Sequence, residues 1–198
     1  MTPQRREITR ADLMPLPEYA KIRREHRRKL VDVKQKRRVH IGPSITLYFE
    51  NYDTMWAQVQ EMLYIEQGGE EQIEGELSAY NPLIPQGSEL VATMMIEIED
   101  ETVRRRTLAR LGHVEDMVYL SFAGHTVKGV PENDIDRTTP DGKTSSVHFL
   151  HFAFTPEQAK AFRTPGTQII AGISHANYGH MAALPDAHRA ALAEDLTV

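Results

Sequence analysis

The sequence predicts an α+β protein: a mainly antiparallel sheet of about five strands covered by helices and preceded by a long basic N-terminal helix. Three observations carry this. Apolar residues recur at three- and four-residue spacing over 17–38 and 54–67, which marks helices. Strict alternation over 89–99 marks a strand. Short β-branched runs are interleaved with the helical ones and separated by Gly and Pro, the pattern of helices packed on an antiparallel sheet. With 198 residues, 40% of them hydrophobic and 26% charged, the chain suits one domain with a sizeable core.

Residues 1–42 read as a basic helical arm of the same unit, and 43–198 as a single α+β domain. Pro15 and Pro17 precede a helix over 17–38 with an apolar seam of Tyr19, Ile22, His26, Leu30 and Val33. Its other faces carry ten Lys and Arg residues, so only the narrow seam is free to dock. Gly42 and Pro43 break the helix and form the nearest thing to a boundary. SITLYFE at 44–50 is a first strand with Ile45, Leu47 and Phe49 on one face. Asn51 or Asp53 caps a helix over 54–67, where Met55, Trp56, Val59, Met62, Leu63 and Ile65 demand burial. After Gly68 and Gly69, an acidic helix turns Ile73, Leu77 and Tyr80 inward and Glu70, Glu71, Glu74 and Glu76 outward. NPLIPQG at 81–87 is a loop fixed by two prolines.

In the strand over 89–99, Leu90, Ala92, Met94 and Ile96 alternate with Val91, Thr93, Met95 and Glu97. A helix over 100–111 stops at Gly112. Strands over 117–127 and 146–154 flank the polar segment 131–143, which reads as a long hairpin loop joining them. A short helix over 156–162, a last strand over 167–173 and an amphipathic helix over 185–196 close the chain.

Charge is uneven. Residues 1–40 carry a balance of +8, and the remainder −13, although the net charge is −5. A basic arm attracts anions, but the acidic body competes for it. The absence of cysteine excludes disulfides, thiolate nucleophiles and cysteine-bound zinc. No apolar run follows the N-terminal arginines, and no stretch approaches membrane-spanning length, so the expectation is a cytoplasmic protein without a membrane partner.

Nine histidines make a metal site the sharpest chemical hypothesis, with a transition metal ion as the cofactor. The candidate ligands are His125, His148, His151, His175 and His180, with Glu50 or Glu61 as an oxygen donor. His148 and His151 point to opposite faces of a regular strand, whereas a hairpin centred on residue 138 sets His125 opposite His151. His175 and His180 follow the last strand in ISHANYGH. No spaced signature such as HExxH supports the set, and the plainer reading is hydrogen-bonded structural histidines. No GxSxG elbow is present. Glu50 at a strand end, with Gln58 and Glu61 on the next helix, forms a candidate acid–base cluster; the plainer reading has Glu50 capping or salt-bridged and Glu61 solvated. GGEEQIEG is acidic and follows a helix, which argues against a phosphate loop.

The candidate interaction residues are Tyr19, Ile22, Arg23, Arg27, Arg28, Leu30 and Val33. They suit docking on the acidic body or on a second subunit, with the arginines facing Glu70, Glu71, Glu74 and Glu76, better than nucleic-acid binding, since aromatic interleaving is nearly absent.

The blocks GPSITLYFEN, QVQEMLYIE, AYNPLIPQG, ATMMIEIED and SVHFLHF, in that order, resemble an uncharacterised bacterial family, domain-of-unknown-function family 3501. The likeness runs from ADLMPLPEY to ISHANYGH, with His175-Ala176 where the family pattern has His-Pro. It implies a one-domain cytoplasmic bacterial protein with no assigned activity, in a redox or oxidative-stress setting beside rubrerythrin-like and iron–sulfur proteins. The preferred reading is a binding protein that self-associates through its N-terminal helix or serves redox partners. The alternative is a histidine/carboxylate metalloprotein, and nucleic-acid binding ranks third.

Overall fold

The structure, a computed structural model, describes residues 5–132, 137–140 and 142–198. Helix α1 (Leu16–Gln35) carries Pro17 in its first turn, where the missing N–H costs nothing. It ends earlier than its periodicity suggests, because Val39 and Ile41 alternate with Arg38 and His40 in strand β1 (Arg38–Ile41). Strand β2 (Ile45–Phe49) pairs antiparallel with β1. Gly42, with φ of 69°, sits in the connecting turn, where a Cβ would lie 2.6 Å from the His180 ring. Gly42-Pro43 is therefore a hairpin turn inside one sheet and not a boundary between arm and body.

Helix α2 (Tyr52–Glu66) starts on Asn51, whose side chain accepts from the Thr54 N–H at 3.0 Å. Helix α3 (Glu70–Tyr80) and a single 3-10 turn (Asn81–Leu83) lead to β3 (Glu89–Ile96). There follow α4 (Glu101–Leu108), β4 (Val118–Phe122), β5 (His125–Lys128), the short β6 (Val130–Pro131) and β7 (Val147–Ala153). Helix α5 (Pro156–Arg163), β8 (Ile169–His175), β9 (Tyr178–Leu184) and α6 (Asp186–Ala193) complete the chain. No helix among the described residues is long and apolar enough to cross a membrane.

The architecture is α+β and the sheets are antiparallel, but the strands form two sheets where the sequence suggests one: β1-β2-β3-β7-β6 and β5-β4-β8-β9. Two tight turns account for two of the extra strands, β5 and β9; β1 and β6 come from segments read as helix and loop. Ala123 and Gly124, both at positive φ, split 117–127 into the β4–β5 hairpin, and ISHANYGH folds back as the β8–β9 hairpin instead of leaving the sheet. The strands over 117–127 and 146–154 are not partners: β4 pairs with β5 and β8, and β7 with β3 and β6. Of the segment 131–143 expected to be a hairpin loop, residues 133–136 and 141 lie outside the described residues; Pro131 pairs with Leu150, and Thr138 bridges to Thr144.

The two sheets share one core, with Leu47, Phe49, Met94, Leu150 and Phe152 of the first against Leu120, Phe122 and Ile173 of the second. Leu108, Phe162 and Leu192 close it from the helices. Each such side chain contributes about 1.5–3 kcal/mol by leaving water. A separate cluster covers the opposite face of the first sheet, where Met55, Val59 and Leu63 of α2 meet Ile8, Leu83, Ile84 and Val91. Helix α1 lies outside α2, with Tyr19 edge-on to Trp56 and Tyr64 at 6.0 and 5.9 Å between ring centroids.

Candidate functional site

Alternation in β2, β3 and β7 sends Phe49, Ala92 and Leu150 into the core and leaves Tyr48, Thr93 and Phe149 in one row on the outer face, with Met95 opposite Val147 in the next. Helix α2 covers only part of this face. The uncovered part is the floor of a cavity of about 470 Å³, a size common for small-molecule sites. Thr54, Met55 and Gln58 of α2 wall one side, Tyr80 and Leu83 another, and Lys34 and Arg37 a third. Lys34 is exposed and marks the open side.

Glu50 is the carboxyl of this cavity and is only 9% exposed. It prolongs β2, its N–H donating to Val91 O at 2.8 Å, and so continues the outward alternation of Tyr48. The Thr54 hydroxyl donates to Glu50 Oε2 at 2.7 Å, and the Thr93 hydroxyl to Oε1 at 2.8 Å. Burial pushes its pKa above the ordinary carboxylate value, against the pull of the two hydroxyls and of Lys34 and Arg37. Among the described residues no cation lies within ion-pair distance of its side chain. Arg37 is occupied elsewhere: it donates to the carbonyls of Phe49, Glu50 and Ala191 at 3.0–3.1 Å and pairs with buried Asp195.

The metal candidates are scattered. His125 opens β5 beside the Phe122 ring, paired with Phe122 and not with His151. His151 faces Val91 and Val130, and its ring nitrogens hydrogen-bond Glu89 at 3.0 Å and Glu132 at 3.3 Å. The Glu89 bond first, then Glu132, hold its pKa above the usual histidine value. His175 contacts the Gly112 carbonyl at 3.2 Å, and the His180 ring packs on Tyr178. His148 is buried within the core, bonded to Thr144 Oγ1 and Ser145 O at 3.0 Å, with burial lowering its pKa. Among the described residues no group of three or more His, Asp and Glu is placed to hold a metal ion.

The α1 residues divide. Tyr19 and Leu30 are buried against the chain's own α2 layer and Val33 is half-buried, while Ile22 is 37% exposed. Arg23 grips Glu61 through two bonds of 2.8 Å, and the Tyr19 hydroxyl donates to the same carboxylate at 2.7 Å. Arg23 is the main reason that Glu61 falls to about 2. Glu61 is thus neither solvated nor near Glu50; one turn earlier on α2, Gln58 turns to the cavity instead. Arg27 and Arg28 are exposed. The acidic helix α3 is met not by the α1 arginines but by Arg10, which pairs with Glu70 and Glu74.

Sequence reasoning singled out Glu50 but not Thr54, Thr93 and Met95. The available signal was Thr93, a hydroxyl in the middle of an otherwise apolar strand.

The fold and the cavity define a two-sheet α+β protein with a ligand-sized pocket built around one buried carboxyl. The chain belongs to the family described as "Protein of unknown function (DUF3501)", whose model matches residues 7–196. It is similar to a novel protein of unknown function from Burkholderia pseudomallei K96243, whose crystal structure superimposes with a TM-score of 0.88 at 38% identity, covering 96% of this chain and 99% of that one. No curated protein matches the chain.

Proposed function

We propose that the protein binds a small molecule in the cavity on the outer face of the first sheet, and that Glu50 fixes its orientation. The observation that carries this reading is the cavity itself. The outward side chains of two central strands, Thr93, Met95, Val147 and Phe149, are left half-buried around a carboxyl where a structural face would be sealed by helix. The surface of the lining is mainly apolar, with the polar groups of Glu50, Thr54, Gln58 and Thr93 set among it, the usual division between affinity and orientation in ligand sites. A mixed panel of small molecules tested by thermal shift should include compounds that raise the melting temperature of the wild type and have no effect on Val147→Trp, which fills the floor. Stabilisation that persists in the filled variant would place binding elsewhere and overturn the reading.

A second reading is association of α1 with an acidic surface of another chain, a second copy or a redox partner. It is favoured by one observation: Lys21, Arg24, Arg27 and Arg28 are exposed and, among the described residues, make no ion pair. Sedimentation of the Arg24→Glu/Arg28→Glu variant tests the self-association form of it. A concentration-dependent assembly lost in the variant supports it, and a wild type that sediments as a monomer removes it.

A further inference from the structure

Among the described residues three carboxylates are buried, and they differ in what faces them. Asp195 has the Arg37 guanidinium, and Glu115 has the ring of His148 at 3.7 Å with the hydroxyls of Thr138 and Thr144. Glu50 has two hydroxyl donors and, among the described residues, no cation within ion-pair distance, yet it alone of the three lines the 470 Å³ cavity. A buried carboxylate without a counter-charge is costly, and a cavity at its side lets a ligand supply that charge. The rest of the lining suits an organic cation. Tyr48 and Tyr80 offer aromatic rings, Phe149 a ring that already carries Arg137 over one face, and Met55 and Met95 polarisable sulfur, while Arg37, one of the two cations of the lining, is already matched by Asp195.

Resting on the cavity reading, we infer that the ligand is an organic amine, its ammonium group set against Glu50 and its apolar body lying over Thr93, Met95 and Phe149. The charged groups around Glu50 act in known directions. Lys34 at the open side opposes a cation, and Arg37 does so weakly because Asp195 holds it; Arg137, 4.8 Å over the Phe149 ring, opposes it as well. Gln58 and the Thr54 and Thr93 hydroxyls are neutral. The amine therefore binds more tightly as pH rises and Glu50 loses its proton, until the amine loses its own.

Phenethylamine, phenethyl alcohol and phenylacetate carry the same ring on a chain of two carbons and differ in head group, and the labelled methyl groups of Met55 and Met95 report occupancy by NMR. The expected result is that the amine shifts both methyls and binds about tenfold or more tightly than the alcohol, a margin lost in Glu50→Gln. Lys34→Gln, a change at an exposed position, should tighten amine binding. Equal or stronger binding of the alcohol or of phenylacetate would overturn the amine assignment and leave the cavity reading standing. If none of the three shifts either methyl at millimolar concentration, the amine assignment falls. The thermal-shift panel then decides separately whether the cavity binds anything.

Discussion

Arg37 stands between two carboxylates and treats them differently. On one side it pairs with Asp195, 1% exposed, and the guanidinium and carboxylate satisfy each other beneath α6. On the other it touches only the backbone carbonyl of Glu50 and leaves that side chain to two threonines and a cavity. The first arrangement is structural, since both charges are matched and Asp195 is buried away from the cavity lining. The second keeps an acid poised at a cost in stability, a trade found where binding requires a group that the fold would rather lose. The difference teaches that burial alone does not mark a functional carboxylate; burial beside room for a partner does.

The comparison is most easily broken at its structural end. Asp195→Ala leaves Arg37 buried without its carboxylate and should cost about 3–5 kcal/mol in urea unfolding. A loss below about 1 kcal/mol would mean that the carbonyls alone satisfy Arg37, and the contrast with Glu50 would collapse. Next in size is Glu61→Gln, which weakens two charge-assisted bonds from Arg23 and should cost about 2 kcal/mol at neutral pH. Because the folded pKa of Glu61 is depressed from 4.5 to about 2, its contribution is complete above 4.5 and disappears as pH falls through about 2. Wild type and variant should converge in acid.

Glu50→Gln should move the other way, gaining about 1 kcal/mol at neutral pH. Its folded pKa is raised, so the wild-type chain is penalised only where Glu50 must ionise. The gain should shrink as pH falls through the raised folded value and be gone below the ordinary value of 4.5. A variant less stable than wild type at neutral pH would return Glu50 to the structural class. An effect of similar size, about 1 kcal/mol but as a loss, belongs to His151→Gln. With the pKa of His151 raised by Glu89 and Glu132, its contribution is complete below 6.5 and lost as pH rises through the folded value, so the variant should differ from wild type in acid and not in alkali.

The sequence was legible where one period ran uninterrupted. The Leu90, Ala92, Met94 alternation and the Met55, Val59, Leu63 stripe gave β3 and α2 with their buried faces, and Asn51 gave the cap. It misled where short turns cut a run, as at Ala123-Gly124 and Ala176-Asn177, because two residues of turn barely disturb a pattern of alternation. It also misled at Arg38–Ile41, where the charges of α1 continue unbroken into a strand. For the site, Glu50 and Gln58 were readable as polar groups where strand meets helix. Their convergence with Thr93, Tyr80 and Lys34 was not, since it depends on how far α2 fails to cover the sheet, a property of packing that no local pattern records. The scattered histidines show the converse: composition raised a metal hypothesis, and pairing register sets His125 opposite Phe122 instead of His151.

Arg37 and Asp195 are 158 residues apart in sequence, and the Thr197 N–H closes on the Gly87 carbonyl at 2.8 Å in the same region. During synthesis the sheet that floors the cavity can assemble as soon as β7 emerges, but Arg37 waits for its counter-charge until the residues after α6 have emerged as well. A polypeptide cut short before Asp195 would carry a desolvated guanidinium at its centre and open readily to proteases. The buried pair thus makes the burial of Arg37, early in the chain, depend on residues that follow α6.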